Sequence, residues 1–115
     1  MKIALPVKKA NDSYMLSSKF GKAPFFLIFD TETGEIKVIR NEYQNGRDIA
    51  NILSSKGVKT VITHHIGKGA FNHLKNLCIE VYHSENKNIP YTKVIQQFKE
   101  GNLQKIKDEN FKQEV

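Results

Sequence analysis

Cysteine is almost missing from this chain: Cys78 is the only one in 115 residues. One thiol excludes an internal disulfide framework and every Cys-x-x-Cys site, so a monomer cannot build an all-thiolate cage around a metal cluster. That usage fits a reducing, cytoplasmic setting. Long apolar runs are missing as well. The opening "MKIALPVKKA" has an apolar run of five residues before two lysines, too short for a secretory signal, and no later stretch approaches the roughly 20 residues that cross a bilayer. Neither export nor membrane anchoring is expected. The first apolar segment, "KIALPV", carries no carboxylate, and Asp12, Asp30, Asp48 and Glu80 are dispersed among different elements, which argues against a nuclease holding divalent ions on clustered acids. Ser17, Ser18 and Ser84 lack a nucleophile-elbow pattern, and no G-x-x-x-x-G-K-[ST] phosphate loop is present. No catalytic activity is expected.

What the chain does have is an ordinary globular balance, 39% hydrophobic and 26% charged, outside the range of disorder. One domain with one core is expected from the length. The excess of 18 basic over 12 acidic side chains, +6 in all, favours anionic partners without choosing among nucleic acid, phosphate and an anionic metal cluster.

Hydrophobic periodicity places a short buried strand at Ile3–Val7, then a long polar loop, "KKANDSYMLSSKFGKAP". Phe25–Asp30 and Ile36–Arg40 read as a hairpin around "TETGE". Gly46–Lys56 reads as a helix capped by Asn45 and ended by Gly57. Thr60–Ile62 is the next strand, Ala70, Phe71, Leu74 and Leu77 form one face of a second helix, and Ile79–Tyr82 returns as strand. Pro90 opens a third helix, with Tyr91, Val94, Ile95 and Phe98 on one face, that stops at Gly101. Residues 102–115 read as a polar, partly ordered C-terminal tail beyond a domain at 1–101. Strands alternating with helices imply parallel pairing, and the hairpin adds antiparallel strands: an α/β fold with a mixed sheet flanked by helices. Pro6, Phe25, Ile28, Val61, Leu74, Val81 and Phe98 are expected to share its single core.

The segments "MKIALPV", "SSKFGKAPFFLIFD", "NGRDIANILSSKGVKTVIT" and "IGKGAFNHLKNLCIEVY" occur in the order found in the dinitrogenase iron-molybdenum cofactor biosynthesis family, which includes NifX-like proteins and the C-terminal domain of NifB-like proteins. The chain resembles that family from about Met1 to Gly101. The resemblance implies a ribonuclease H-like five-stranded mixed sheet flanked by helices. It implies an accessory protein that binds or carries an iron-sulfur or iron-molybdenum cofactor precursor, with metallocluster donor or acceptor proteins as partners. The chain departs from the family pattern at three places. Lys19 stands where histidine often precedes the phenylalanine-glycine pair, His64 and His65 replace two small residues, and Cys78 replaces a glycine before the last strand.

In an α/β sheet ligands collect at the carboxyl ends of the parallel strands. That rule brings the turn with His64 and His65, and the strand end at His83, to one rim as candidate metal ligands. "GKGA" beside them opens a helix whose amides and dipole favour an anion, so Gly67, Lys68 and Gly69, with Lys19, Phe20 and Gly21 of the long loop, are the candidate anion- or cluster-binding residues. His73, further along the helix, is a poor co-ligand. Cys78 lies five residues from His83, about 16 Å along a strand, and reads as a small buried hydrophobe. The alternative is a non-catalytic anion- or nucleic-acid-binding module, although no RNA- or DNA-binding motif is present. Solvated or backbone-bonded histidines, glycines that merely turn the chain and lysines that keep the surface wet would produce the same pattern. The oligomeric state is left open.

Overall fold

The computed structural model describes residues 1–107; residues 108–115, and with them most of the expected tail, lie outside the described residues. The strands are β1 (Lys2–Ala10), β2 (Ser13–Leu16), β3 (Phe25–Asp30), β4 (Ile36–Arg40), β5 (Val58–Thr63), β6 (Glu80–His83) and β7 (Gln104–Lys105), and the helices are α1 (Gly46–Ser55), α2 (Lys68–Asn76) and α3 (Tyr91–Lys99). They form one mixed sheet in the order β4-β3-β1-β5-β6-β7, with β2 paired to β1. β1, β5 and β6 run parallel, while β2, β3, β4 and β7 join antiparallel.

Seven strands replace the expected five, and both additions come from segments without a clean hydrophobic period. The polar stretch after Val7 is no loop at its start. β1 continues to Ala10 and turns through Asn11 and Asp12 into β2, pairing Ala10 with Ser13 and Val7 with Leu16. Asn11 takes φ +56°, a left-handed conformation that asparagine tolerates in tight turns. β7 lies within the expected polar tail and pairs Tyr82 with Lys105 and His83 with Gln104. Ladder hydrogen bonds order so short a strand without an apolar face of its own.

The single-core expectation is corrected too. Successive strand residues point to opposite faces, so the sheet separates two apolar clusters. Ile28, Val61, Leu74 and Val81 lie on the α1/α2 side with Phe20, Phe26 and Leu53. On the α3 side, Leu27, Ile62 and Val94 are buried, with Phe25 and Phe98 packed against them.

Local chemistry explains the helix ends. The Asn45 side chain accepts the Asp48 amide at 2.9 Å and donates to the Asp48 carboxylate at 2.9 Å, which closes the first turn of α1 reciprocally. Gly57 at φ +83° follows that helix. The end of α2 is a Schellman motif: the Cys78 amide donates to Lys75 O at 3.0 Å and the Ile79 amide to Leu74 O at 2.9 Å. Cys78 therefore holds the position after the cap, at φ +62°, and is exposed rather than the buried hydrophobe expected. This is the geometric reason a glycine suits the position. Cys78→Gly is expected to raise stability by up to about 1 kcal/mol. The left-handed strain removed, roughly 1–2 kcal/mol, outweighs the ~0.4–1 kcal/mol of added unfolded-chain entropy. A urea midpoint that falls in this variant would contradict the assignment.

Candidate functional site

Parallel β1, β5 and β6 end at the same side of the sheet, and there the chain splays. β1 pairs with β5 only through Lys2, Ile3 and Ala4; beyond that its partner on this side is β2. The segment after β2 drops into the gap. The Ser17 amide donates to Pro6 O at 2.8 Å, and the Phe20 amide donates to His65 O at 2.9 Å, so Lys19 and His65 form an isolated parallel bridge. The phenylalanine-glycine loop and the histidine turn, 46 residues apart by that bridge, are thereby laid side by side.

The two adjacent imidazoles part company. His64 is half-buried and His65 exposed, with buried Ile66 anchoring the turn between them and α2. Thr63, the last residue of β5, is the register partner of His83. Just past that pair the Ser84 amide donates to Thr63 O at 3.0 Å, and His64 Nδ1 lies 2.9 Å from Ser84 O. A carbonyl oxygen can only accept. His64 Nδ1 must therefore carry the proton, which leaves Nε2 of the neutral ring as a lone pair. The ring lies nearly parallel to that of His83, with centroids 5.8 Å apart and planes 23° apart.

The three candidate metal ligands are thus not gathered equally. His64 and His83 face each other, while His65 points outward. Among the described residues no three histidine, cysteine or acidic side chains come together as a set able to hold a metal ion. His73 is engaged elsewhere, with Nε2 2.7 Å from Asn51 Oδ1.

The candidate anion-binding residues also divide. Gly67 is the N-cap of α2, with extended backbone and no side-chain cap. A Cβ added at Gly67 or Gly69 would meet nothing within 4 Å, so the start of α2 opens onto unfilled space beside the histidine turn, and Lys68 stands exposed there. Lys19 and Lys22 are exposed on the loop that joins the rim, and Lys8 and Lys9 on the projecting half of β1. Phe20 goes the other way. Its side chain is 1% exposed and packs edge-on against Phe26 at 5.2 Å, so its ring fills the core instead of lining the cleft, and only its backbone serves the rim.

Gly21 is tight for a different reason: a Cβ there would come within 2.8 Å of Gly46 N, and one at Gly46 within 2.5 Å of the Ala70 Cβ. The loop, the start of α1 and the first turn of α2 pack backbone to backbone beneath the site. Sequence reasoning missed the residues that hold this arrangement. Asn41 is 3% exposed, donates to Gly21 O at 3.0 Å and Ala23 O at 2.9 Å, and accepts the Tyr43 and Gln44 amides. The Thr63 hydroxyl donates to His65 O at 3.2 Å, and Ser84 fixes His64 through a main-chain atom. Nothing in a carbonyl is written in a side-chain pattern; Asn41 carried only the faint signal of an asparagine closing a strand. At the opposite end of β3, Asp30 accepts the Glu32 amide at 2.9 Å; that bond and the one from Thr33 hold its carboxyl below the ordinary range.

Residues 1–101 match the family described as dinitrogenase iron-molybdenum cofactor. An uncharacterized protein of Methanocaldococcus jannaschii is 36% identical over 114 residues, with 92% of each chain covered. A NifB-like Thermotoga protein of the DUF35 family, solved by NMR, superposes with a TM-score of 0.77 at 31% identity over 90% of this chain and 91% of that chain. A dinitrogenase-like protein of M. jannaschii gives a TM-score of 0.70 at 28% identity over 92% and 94%.

Proposed function

This chain belongs to the dinitrogenase iron-molybdenum cofactor family, and from that premise we propose that it is a non-catalytic cytoplasmic accessory protein that binds an iron-sulfur or iron-molybdenum cofactor precursor at the rim. The observation that carries the reading is the His64 hydrogen bond. A ligating histidine typically donates its other ring N–H to an acceptor that fixes tautomer and orientation, and Ser84 O does this for His64 Nδ1, leaving the Nε2 lone pair for a ligand.

The chain supplies few ligands, which suits a carrier. His64, with His83 beside it and His65 at the exposed edge, contributes imidazole. The remaining positions are filled by the cargo's own sulfides, by external thiols or by the protein that receives it. A negatively charged cluster is also drawn by the uncapped amides of α2, by Lys68 and by the loop lysine Lys19. The ribonuclease H-like architecture belongs to the same reading and is supported by the central order β4-β3-β1-β5-β6. No described helix is long and apolar enough to cross a membrane. The alternative, an anion- or nucleic-acid-binding module, draws on the basic charge and the open helix start, and both serve an anionic cluster as well.

The test is anaerobic reconstitution with ferrous iron and sulfide, read as retained iron and visible absorption after desalting. The His64→Ala/His65→Ala variant is expected to retain iron at least about tenfold more weakly, since losing even an outer partner of a metal ligand costs 10–100-fold. Cys78→Ser and His73→Ala should match the wild type. Equal retention in the double histidine variant, with equal folding, would remove the histidines from the site.

A further inference from the structure

β4 is the outermost strand on the side of the sheet away from β7, and its ladder to β3 defines what its free edge presents. The Asp30 amide donates to Glu35 O and the Asn41 amide to Pro24 O, each at 2.9 Å, so Glu35 and Asn41 face β3. Bonded and non-bonded pairs alternate along an antiparallel ladder. Lys37 and Ile39 therefore face β3 as well, and the amides and carbonyls of Ile36, Val38 and Arg40 point away from the sheet. Among the described residues no strand covers them.

The side chains along this edge are suited to a second strand on both faces. On the α3 side Ile36 is 41% exposed and, with Phe29, Tyr91 and Ile95, borders a groove of about 290 Å³. On the α1 side Glu35 and Lys37 stand exposed beside Ser55 and Lys56, and neither has an ion-pair partner among the described residues.

A two-fold axis normal to the sheet lays a second β4 antiparallel on the first and opposes residues of the same face. Charge then selects the register. Centring the axis on Lys37 sets Lys37 against the partner's Lys37, and centring on Arg40 repeats that conflict between arginines. Centring on Val38 or Ile39 sets an apolar side chain against the partner's Arg40. Centring on Ile36 alone sets Glu35 against the partner's Lys37, and symmetry makes that pair twice. The same register lets Ile36 exchange both backbone bonds with the partner's Ile36 and brings the two side chains together beside the groove. A lysine on an edge strand ordinarily repels a second strand; here Glu35, two residues away, converts the repulsion into pairing in one register.

We propose that β4 pairs with β4 of a second copy of this chain in the register centred on Ile36, forming a homodimer with a continuous sheet. The contact is small, so its Kd is expected on the order of 10–100 μM. The two-fold axis reverses strand direction, which turns the two histidine rims to opposite ends of the dimer and leaves both open.

Sedimentation equilibrium of the full chain at low salt, across the micromolar to millimolar range, is the test. Glu35→Lys and Lys37→Glu each turn two attractions into two repulsions, and each is expected to weaken dimerisation about tenfold. Mixed with one another, the two variants should form a heterodimer about as tight as the wild-type dimer, because every opposed pair is then again of opposite sign. Both positions are exposed, and recovery in the mixture shows that neither variant is misfolded. A wild type that stays monomeric up to millimolar concentration would overturn the proposal and leave the edge for a strand of another protein. A dimer that neither variant weakens, or that the mixture fails to restore, would overturn it equally.

Discussion

Phe20→Ala should lower the unfolding free energy by about 3–5 kcal/mol, the range for deleting a buried aromatic from a packed core. The ring is 1% exposed and meets Phe26 edge-on, with planes 75° apart. It belongs to the cluster that contains Ile49, Phe71 and Leu74. The same residue donates its amide to His65 O, so the cavity opens directly beneath the histidine turn. A small domain has about 5–15 kcal/mol in total, and this variant is expected to unfold at a clearly lower urea midpoint with reduced amide protection at Phe20 and His65. Phe20→Leu, which keeps most of the volume, should cost substantially less. A midpoint unchanged in Phe20→Ala would mean that the ring lies in the cleft, where its loss would register in binding instead.

Gly46→Ala is the second large effect, expected at about 1–3 kcal/mol, the usual cost of overpacking. Gly46 is the first residue of α1, where alanine in place of glycine is expected to help by less than the roughly 1 kcal/mol of a helix interior, so a net loss of this size is diagnostic. Here the new Cβ would stand 2.5 Å from the Cβ of Ala70, and both atoms are fixed to helix backbone. Neither can rotate away. α1 and α2 must separate, and with them the loop at Gly21, whose own tight neighbour is the Gly46 amide nitrogen. Ala70→Gly costs helix propensity and the packing of its methyl against the core, yet combined with Gly46→Ala it should restore much of the loss, giving a coupling of about 1 kcal/mol or more in a double-mutant cycle. Strict additivity of the two changes would show that the helices do not approach as described.

These two positions also show where sequence reasoning reached and where it stopped. The hairpin Phe25–Asp30 with Ile36–Arg40 matches the expected bounds, and α1 starts at Gly46 after Asn45 as its cap predicts, because periodicity and capping are properties of contiguous residues. β2 and β7 were invisible for the complementary reason: each is held by a ladder to a strand already formed and not by a pattern of its own. Phe20 illustrates the same limit at the site. A phenylalanine among lysines and serines reads as a loop aromatic available to a ligand, and only the return of the loop across the end of β5 turns its ring inward.

The sequence by itself determined the α/β class, the family, the Asn45 cap of α1 and the convergence of His64 and His83 on one rim, since strand direction and element order follow from local chemistry and from the right-handed crossover. Tertiary structure alone decided which imidazole faces inward, through the Ser84 carbonyl. It decided that Gly21, Gly46 and Ala70 meet, and that Cys78 is a left-handed helix end opening on a groove instead of a core residue. The first two depend on distances between atoms far apart in the chain, which no local pattern encodes, and the groove beside Cys78 depends on β7 returning along β6.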